Sequence, residues 1–365
     1  LTGAWRDRAG GLLLSNSSNF KVNKQDLHRP DLLGARRPRI LNMSTIGNDL
    51  NNPGSSSWGP QVKAVLVYNS NPLAVAPQSG MVAKGFARED LFTVVMEHFQ
   101  TDTADYADYI LPATTQLEHW DVQGSYGHTD VLLNRPAIEP VGQAKSNSEI
   151  FRLLAKAMGY TEPCFSEDDL SMCRTAVGPD VDFQSLLDVG FVSMPVPDAP
   201  FANGGFATPS GRCEFVSDRL AAQGLDPLPD HIPNYEVPVA GHRYPLAMIS
   251  PPARNFLNSS FVNVESLRAI EKEPLVEICA EDAAARGIAT GDTVKVFNDR
   301  GEYHCKADVT TRARPGVVNG LGIWWRKMGL NGTNVNEVTS QLLTDLGRAP
   351  VFYDCQVEVA LLKKA

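Results

Sequence analysis

The sequence predicts an α/β domain built on a parallel sheet, followed by a β-barrel domain. Three observations carry this. Short apolar runs separated by helix-compatible segments recur between residues 62 and 111. An alternating ribbon folds about Asp299-Arg300-Gly301 in the second half. Between the two, prolines crowd a stretch from Pro195 to Pro238 that has no regular period. Strand–helix–strand alternation marks a parallel sheet with crossover helices. Short alternating strands with glycine turns mark a barrel or sandwich.

The elements follow in order. Residues 1–60 read as loop, because 15–20 and 47–60 are dense in Ser, Asn, Gly and Pro, which favour turns. The second stretch is expected to be mobile. Val62–Tyr68 is a strand ending in the polar loop Asn69-Ser70-Asn71-Pro72. Residues 76–88 form the crossover helix, and 91–96 a second strand running into the polar stretch 97–103. Residues 104–109 fit a short helix, and 109–111 a third strand stopped by Pro112. Ligands of such sheets bind beyond the carboxyl ends of the strands. That places the loops 69–72 and 98–103 at the ligand edge. Residues 148–159 form a helix capped by Ser146 or Asn147, with Ile150, Leu153, Leu154, Ala157 and Met158 as its stripe. Residues 160–240 read as an acidic helical insert and an extended connector. Strands follow at 245–250 and 275–278, then a helix at 279–286 stopped by Gly287. The ribbon 292–298 and 302–310 comes next, and then strands at 316–321 and 355–360. The expected division is 1–165 for the α/β part, 166–240 for the insert and connector, and 241–365 for the barrel.

Composition narrows the function. The 365 residues suit two or three domains. Basic residues number 33 and acidic residues 42, a net charge of −9, which disfavours nucleic acid as a partner. No run of apolar residues is long enough to span a membrane. The six cysteines (Cys164, Cys173, Cys213, Cys279, Cys305, Cys355) form no C-x-x-C pair. That argues against a zinc ribbon or iron–sulfur cluster held by this chain. They read as buried small hydrophobes, and they favour a reducing, cytoplasmic compartment. No phosphate loop, G-x-G-x-x-G, H-E-x-x-H or G-x-S-x-G is present. Glu118-His119 beside Asp121 reads either as an acid–base group or as a satisfied loop histidine.

Three loops carry the remaining chemistry. Asn69-Ser70-Asn71-Pro72 is either a simple turn or a set of amide and hydroxyl ligands. Thr101-Asp102-Thr103-Ala104 is either a helix cap or a second such set. Arg254-Asn255 with Asn258-Ser259-Ser260 is either a solvated loop or a guanidinium held among neutral polar groups. Together they suit a ligand with both a purine and phosphate, since Asp and Asn edges read a purine while Arg and helix-start N–H groups hold phosphate.

The run Val67–Pro72, followed by Thr101-x-Thr-Ala-x-x-Ala-Asp-x-x-Leu-Pro-Ala-Thr114, resembles the molybdopterin oxidoreductase family, that is, the dimethyl-sulfoxide-reductase superfamily with formate dehydrogenases and nitrate reductases. Glu118–Asp121 and Tyr126-Gly127 continue the match. Val276–Ile278, Asp282-Ala283, Arg286–Ile288, Gly291-Asp292, Val294–Val296 and Arg300-Gly301 are similar to that family's C-terminal dinucleotide-binding domain. Gly332, Asn334-Val335-Asn336 and Thr339 fit its closing segment.

The resemblance implies a Rossmann-like α/β domain and a double-psi barrel. Between the family's domains, two molybdopterin-guanine dinucleotides hold one Mo or W. It implies that Asn69, Asn71 and Pro72 line a guanosine pocket, with His98, Thr101 and Asp102 in the second loop. Asn147 stands where relatives carry an Asp for the guanine edge; an amide oxygen accepts there without charge. Arg254, Asn258 and Ser260 match the barrel loop that meets pterin and phosphate. Trp324, Asn336 and Tyr353 match wall residues near the pterin.

Family members also carry an upstream domain, often with an iron–sulfur cluster, and an upstream metal ligand. Neither is present in this sequence, and the chain starts at Leu1. The expectation is the C-terminal half of a catalytic subunit, with no metal ligand of its own. Its partners would be the N-terminal half and an electron-transfer subunit or carrier. A non-catalytic structural relative in a larger redox complex and a stand-alone nucleotide-binding fragment are the alternatives.

Overall fold

A computed structural model describes residues 2–11, 20–228, 230–237 and 241–365. The chain groups into two compact units, each built from two separate stretches: Leu1–Arg37 with Pro112–Ile232, and Pro38–Leu111 with Pro233–Ala365. The expected linear division at 165 and 240 runs across this grouping.

The second unit holds a sheet and a barrel. Its sheet has three strands, β1 (Ala64–Tyr68), β2 (Phe92–Glu97) and β3 (Tyr109–Pro112), in that order. β1 and β2 are parallel, with Leu66 opposite Val94. Two helices, α1 (Ile46–Asn51) and α2 (Ser79–Phe86), pack with this sheet. Val67 and Val95 from the strands, Leu50 from α1 and Val82 and Phe86 from α2 form one core.

The closed barrel has six strands: β4 (Leu246–Ile249), β5 (Leu275–Ile278), β6 (Thr293–Asn298), β7 (Gly301–Val309), β8 (Val317–Gly320) and β9 (Gln356–Lys363). Their order around it is β5-β7-β6-β9-β4-β8. β5 with β7 and β4 with β8 are parallel; the other pairs are antiparallel. The strands alternate as the sequence does. Val294 and Val296 point into the core with Tyr303, Cys305, Val318 and Val357, while Thr293, Lys295 and Phe297 are only partly covered. Closure leaves no strand edge to cap.

The first unit is built on an antiparallel sheet of Asp121–Gln123, Asp130–Asn134 and Phe191–Ser193. The helices Asp169–Val177 and Phe183–Val189 cover it through Val131, Leu133, Cys173, Phe183 and Leu186. The helix Asn147–Ala157 also belongs here, with Ser146 as its cap. Among the described residues, no helix is long and apolar enough to cross a membrane.

Several expectations need correction. Residues 47–60 are not all loop: α1 occupies Ile46–Asn51 and Leu50 is buried in the core. Polar composition hid a helix fixed by one leucine and by close approach to Gly85. The crossover helix expected over 76–88 is present but shorter, Ser79–Phe86. A single turn, Pro72–Val75, precedes α2, and Gln78 adopts φ 54 between them, because Pro77 cannot continue a helix. The helix expected at 104–109 is one 3-10 turn, Ala104–Tyr106. Residues 166–193 are no separate insert, since Phe191–Ser193 pairs with Asp130–Leu132. The cap Asp168 and the positive-φ stops Gly178 and Gly190 delimit the two helices there. Part of the loop-rich stretch 15–20, and residues 229 and 238–240 of the connector, lie outside the described residues.

Candidate functional site

The second unit brings the two strand-end loops against the barrel. Asn71 follows β1, and its carbonyl accepts Ala74 N and Val75 N at 3.0 and 3.1 Å. Pro72 then sits at the first helical position, where it needs no N–H partner. The Asn71 side chain turns to the second loop. Its Oδ1 accepts Thr103 N at 3.2 Å and Thr103 Oγ1 at 2.8 Å. Its Nδ2 is buried with no acceptor among the described residues. A buried amide donor left unpaired costs about 1–3 kcal/mol unless a ligand or water satisfies it. Asn69, exposed at the end of β1, adopts φ 53, a conformation asparagine tolerates.

Thr101 and Asp102 are buried. Thr101 Oγ1 accepts Ala104 N at 3.3 Å, so it caps its own turn. Asp102 is committed elsewhere in the unit: its carboxylate accepts Arg326 N at 2.6 Å and Lys327 N at 3.1 Å. Burial raises its pKa, and those two backbone donors oppose the rise. His98 is exposed beside Phe99.

The barrel loops are fastened to the same region. Asn336 Nδ2 and Asn334 Nδ2 both donate to Ala74 O, at 2.9 and 3.1 Å. Arg326 Nη1 donates to Ser79 Oγ at 2.7 Å and to Glu337 Oε2 at 2.5 Å, and Ser79 Oγ donates to Glu337 Oε2 at 2.8 Å. Gln341 Nε2 donates to Gln78 Oε1 at 2.8 Å and Asn48 Oδ1 at 3.2 Å. This partly buried polar seam joins residues far apart in sequence. Composition and spacing gave no sign of Ser79, Arg326 or Glu337.

Beside the seam lies a cleft of about 490 Å3, within the usual range for a ligand site. Three predicted residues line it, Asn258, Asn336 and Tyr353, together with Ser250, Phe352 and Asp354. Asn258 holds φ 50 in a tight turn in which Leu257 and Ser260 exchange backbone hydrogen bonds at 3.2 and 2.9 Å. Trp325 Nε1 anchors that turn through Ser259 O at 2.7 Å. Tyr353 is exposed.

The other predicted residues are placed differently. Ser260 is in the turn and does not line the cleft. Trp324 is buried edge-on against Phe256 at 5.1 Å and does not line this cleft. Arg254 is exposed and makes no hydrogen bond or ion pair with any described residue. Asn147 belongs to the other unit, as the first residue of its helix. His119 accepts from or donates to Thr114 Oγ1 through Nδ1 at 2.8 Å, as a satisfied loop histidine does. Cys173, Cys279, Cys305 and Cys355 are buried, as expected of small hydrophobes, but Cys164 is only partly covered and Cys213 is exposed; none of the six forms a disulfide. Burial pushes the Cys173 and Cys355 thiols up to about 12. Among the described residues, no three His, Cys, Asp or Glu side chains gather as metal ligands.

Two stretches of the chain match known protein families. The family model described as Molybdopterin oxidoreductase matches residues 18–157, and the one described as Molydopterin dinucleotide binding domain matches 246–356. A probable oxidoreductase of Bacillus subtilis, YoaE, is 37% identical over 98% of this chain and 52% of its own length. The dimethyl sulfoxide/trimethylamine N-oxide reductase of Rhodobacter capsulatus is 30% identical over 79% of this chain and 40% of its own. The solved acetylene hydratase from Pelobacter acetylenicus shares the fold. Its TM-score is 0.74 at 22% identity, over 88% of this chain and 46% of that one. The chain spans about half the length of the relatives it matches. With two family models in order along it, the chain belongs to the molybdopterin oxidoreductase family.

Proposed function

We propose that this chain is the cofactor-clasping C-terminal half of a molybdenum or tungsten oxidoreductase carrying two molybdopterin-guanine dinucleotides. The observation that carries the reading is the cleft of the second unit. It unites Asn258, Asn336 and Tyr353 beside the loop of Asn71. The residues present fit a nucleotide. Asn71 Nδ2 is a buried donor in need of an acceptor such as a purine or phosphate oxygen. Arg254 is an uncommitted guanidinium suited to phosphate. Within this reading, Asn69, Asn71, Pro72, His98 and Thr101 form the guanosine side. Arg254, Asn258, Ser260 and Tyr353 form the pterin and phosphate side, and Asn147 serves a guanine edge on its own unit. Asp102, Trp324 and Asn336 act by holding loops in place.

The bound metal supplies the two-electron chemistry, and the pterins tune it. This chain's residues bind, orient and insulate. The barrel is of the double-psi type, residues 241–365 being the dinucleotide-binding domain and 1–165 part of the α/β domain. The rest of the protein holds the metal ligand and, where present, an iron–sulfur cluster. An electron-transfer subunit or carrier serves it. Relatives named for dimethyl sulfoxide and trimethylamine N-oxide make S- and N-oxides the first substrates to assay. The isolated 365-residue chain, assayed with these oxides and a reduced viologen dye, is expected to show no turnover. Turnover by the chain alone contradicts the division of labour.

A further inference from the structure

In the first unit, the helix Asp169–Val177 begins with two carboxylates that do different work. Asp168 caps its own helix, accepting Ser171 N at 2.8 Å. Asp169 turns instead to the start of the helix Asn147–Ala157. Its Oδ2 accepts Ser146 Oγ at 2.7 Å, and its Oδ1 accepts Ser148 Oγ at 2.6 Å and Arg152 Nη1 at 2.7 Å. Ser148 and Arg152 stand four positions apart, on one face of the helix. Ser146 in turn caps the helix by accepting Glu149 N at 3.2 Å. One carboxylate thus holds the residues on both sides of Asn147.

Stability alone explains this network poorly. The Asp169 side chain is only 18% exposed. Burial opposes its charge, but the Ser148 and Ser146 hydroxyls and the Arg152 guanidinium outweigh burial, so its pKa is lowered. A charge pair taken out of water is ordinarily no more stabilising than apolar side chains of similar size. What such a network does supply is fixed geometry. The first turn of a helix frays, and a side chain that must stop moving on binding weakens that binding. With Ser146 and Ser148 both tied to Asp169, the backbone at Asn147 is already fixed.

We infer that Asp169 is a positioning residue: through Ser146 and Ser148 it holds Asn147 in the orientation that meets a guanine base. The inference rests on the reading above, in which Asn147 serves a guanine edge on its own unit.

The test uses the product of the complete reading frame, purified from a host that makes the cofactor. The readout is the rate at which guanine nucleotide leaves the protein during dialysis, measured as the GMP still released by acid. Asp169→Asn keeps the size of the side chain and removes its charge. It is expected to speed the loss about five-fold, a usual size for coupling within one hydrogen-bonded network. In an Asn147→Ala background the same substitution should change the rate by less than about two-fold, because its effect passes through Asn147. Ser148→Ala removes one tether and leaves the Arg152 pair, so it covers the case of a misfolded Asp169→Asn protein. It should speed the loss by a smaller factor, again only where Asn147 is present. No acceleration, or equal acceleration in both backgrounds, overturns the inference and leaves the cofactor reading standing. A complete, folded protein that releases no GMP removes both.

Discussion

At the scale of single residues, two buried carboxylates, Asp102 and Asp292, hold backbone. Asp292 accepts Ala289 N at 2.8 Å and Ala365 N and Lys364 Nζ at 2.9 Å each. These donors, Ala289 N foremost, lower its pKa from 3.8 to about 2. A carboxyl whose folded pKa is depressed adds stability above its unfolded pKa and loses it as pH falls through the folded one. Asp292→Asn should therefore lower the urea midpoint most at pH 5 and above, and the gap to the unmutated protein should close between about pH 4 and pH 2. A gap independent of pH counts against this account. Asp102 is the opposite case, raised by burial. Asn71, Asn258, Asn336 and Tyr353 are named as site residues in the sequence only through the resemblance of their loops to the family's. Their exact work is not legible there. Asp102 and Asn336 spend their polar atoms on Arg326 N and Ala74 O, partners more than two hundred positions away. No local spacing encodes such pairs.

At the scale of elements, alternation was readable and close packing was not. The hairpin of β6 and β7 follows directly from its alternating residues and two-residue loop, with Asn298 opposite Gly301. The helix α1 escaped notice because only Gly47 and Leu50 within it are buried. Its place depends on Gly85 of α2: a Cβ there would lie 2.6 Å from Leu50 Cβ and 3.3 Å from Asn51 Nδ2. Alanine ordinarily gains about 1 kcal/mol over glycine within a helix. Overpacking of a tight contact costs about 1–3 kcal/mol, and Leu50 Cβ is next to the backbone and cannot swing away. Gly85→Ala should thus destabilise the protein on balance, lowering its urea midpoint without changing the slope. A raised midpoint would show that the two helices yield easily.

At the scale of the whole molecule, the alternating α/β pattern and the barrel ribbon in family order made the family legible. The interleaving of the chain was not legible. The second unit takes residues 38–111 and 233–365 together, and the partly buried seam of Ser79, Arg326 and Glu337 is what that pairing produces. A linear reading of composition places boundaries where prolines gather and cannot see a return of the chain. In the proposed function, the second unit grips a guanine dinucleotide. The direct measurement is the metal and guanine nucleotide content of the complete protein, expressed in a host that makes the cofactor. Acid release of GMP should accompany bound Mo or W, and Asn71→Ala should lose most of both while keeping its fold by circular dichroism. A folded, complete protein with neither metal nor guanine nucleotide, or an Asn71→Ala variant with undiminished content, would contradict the account.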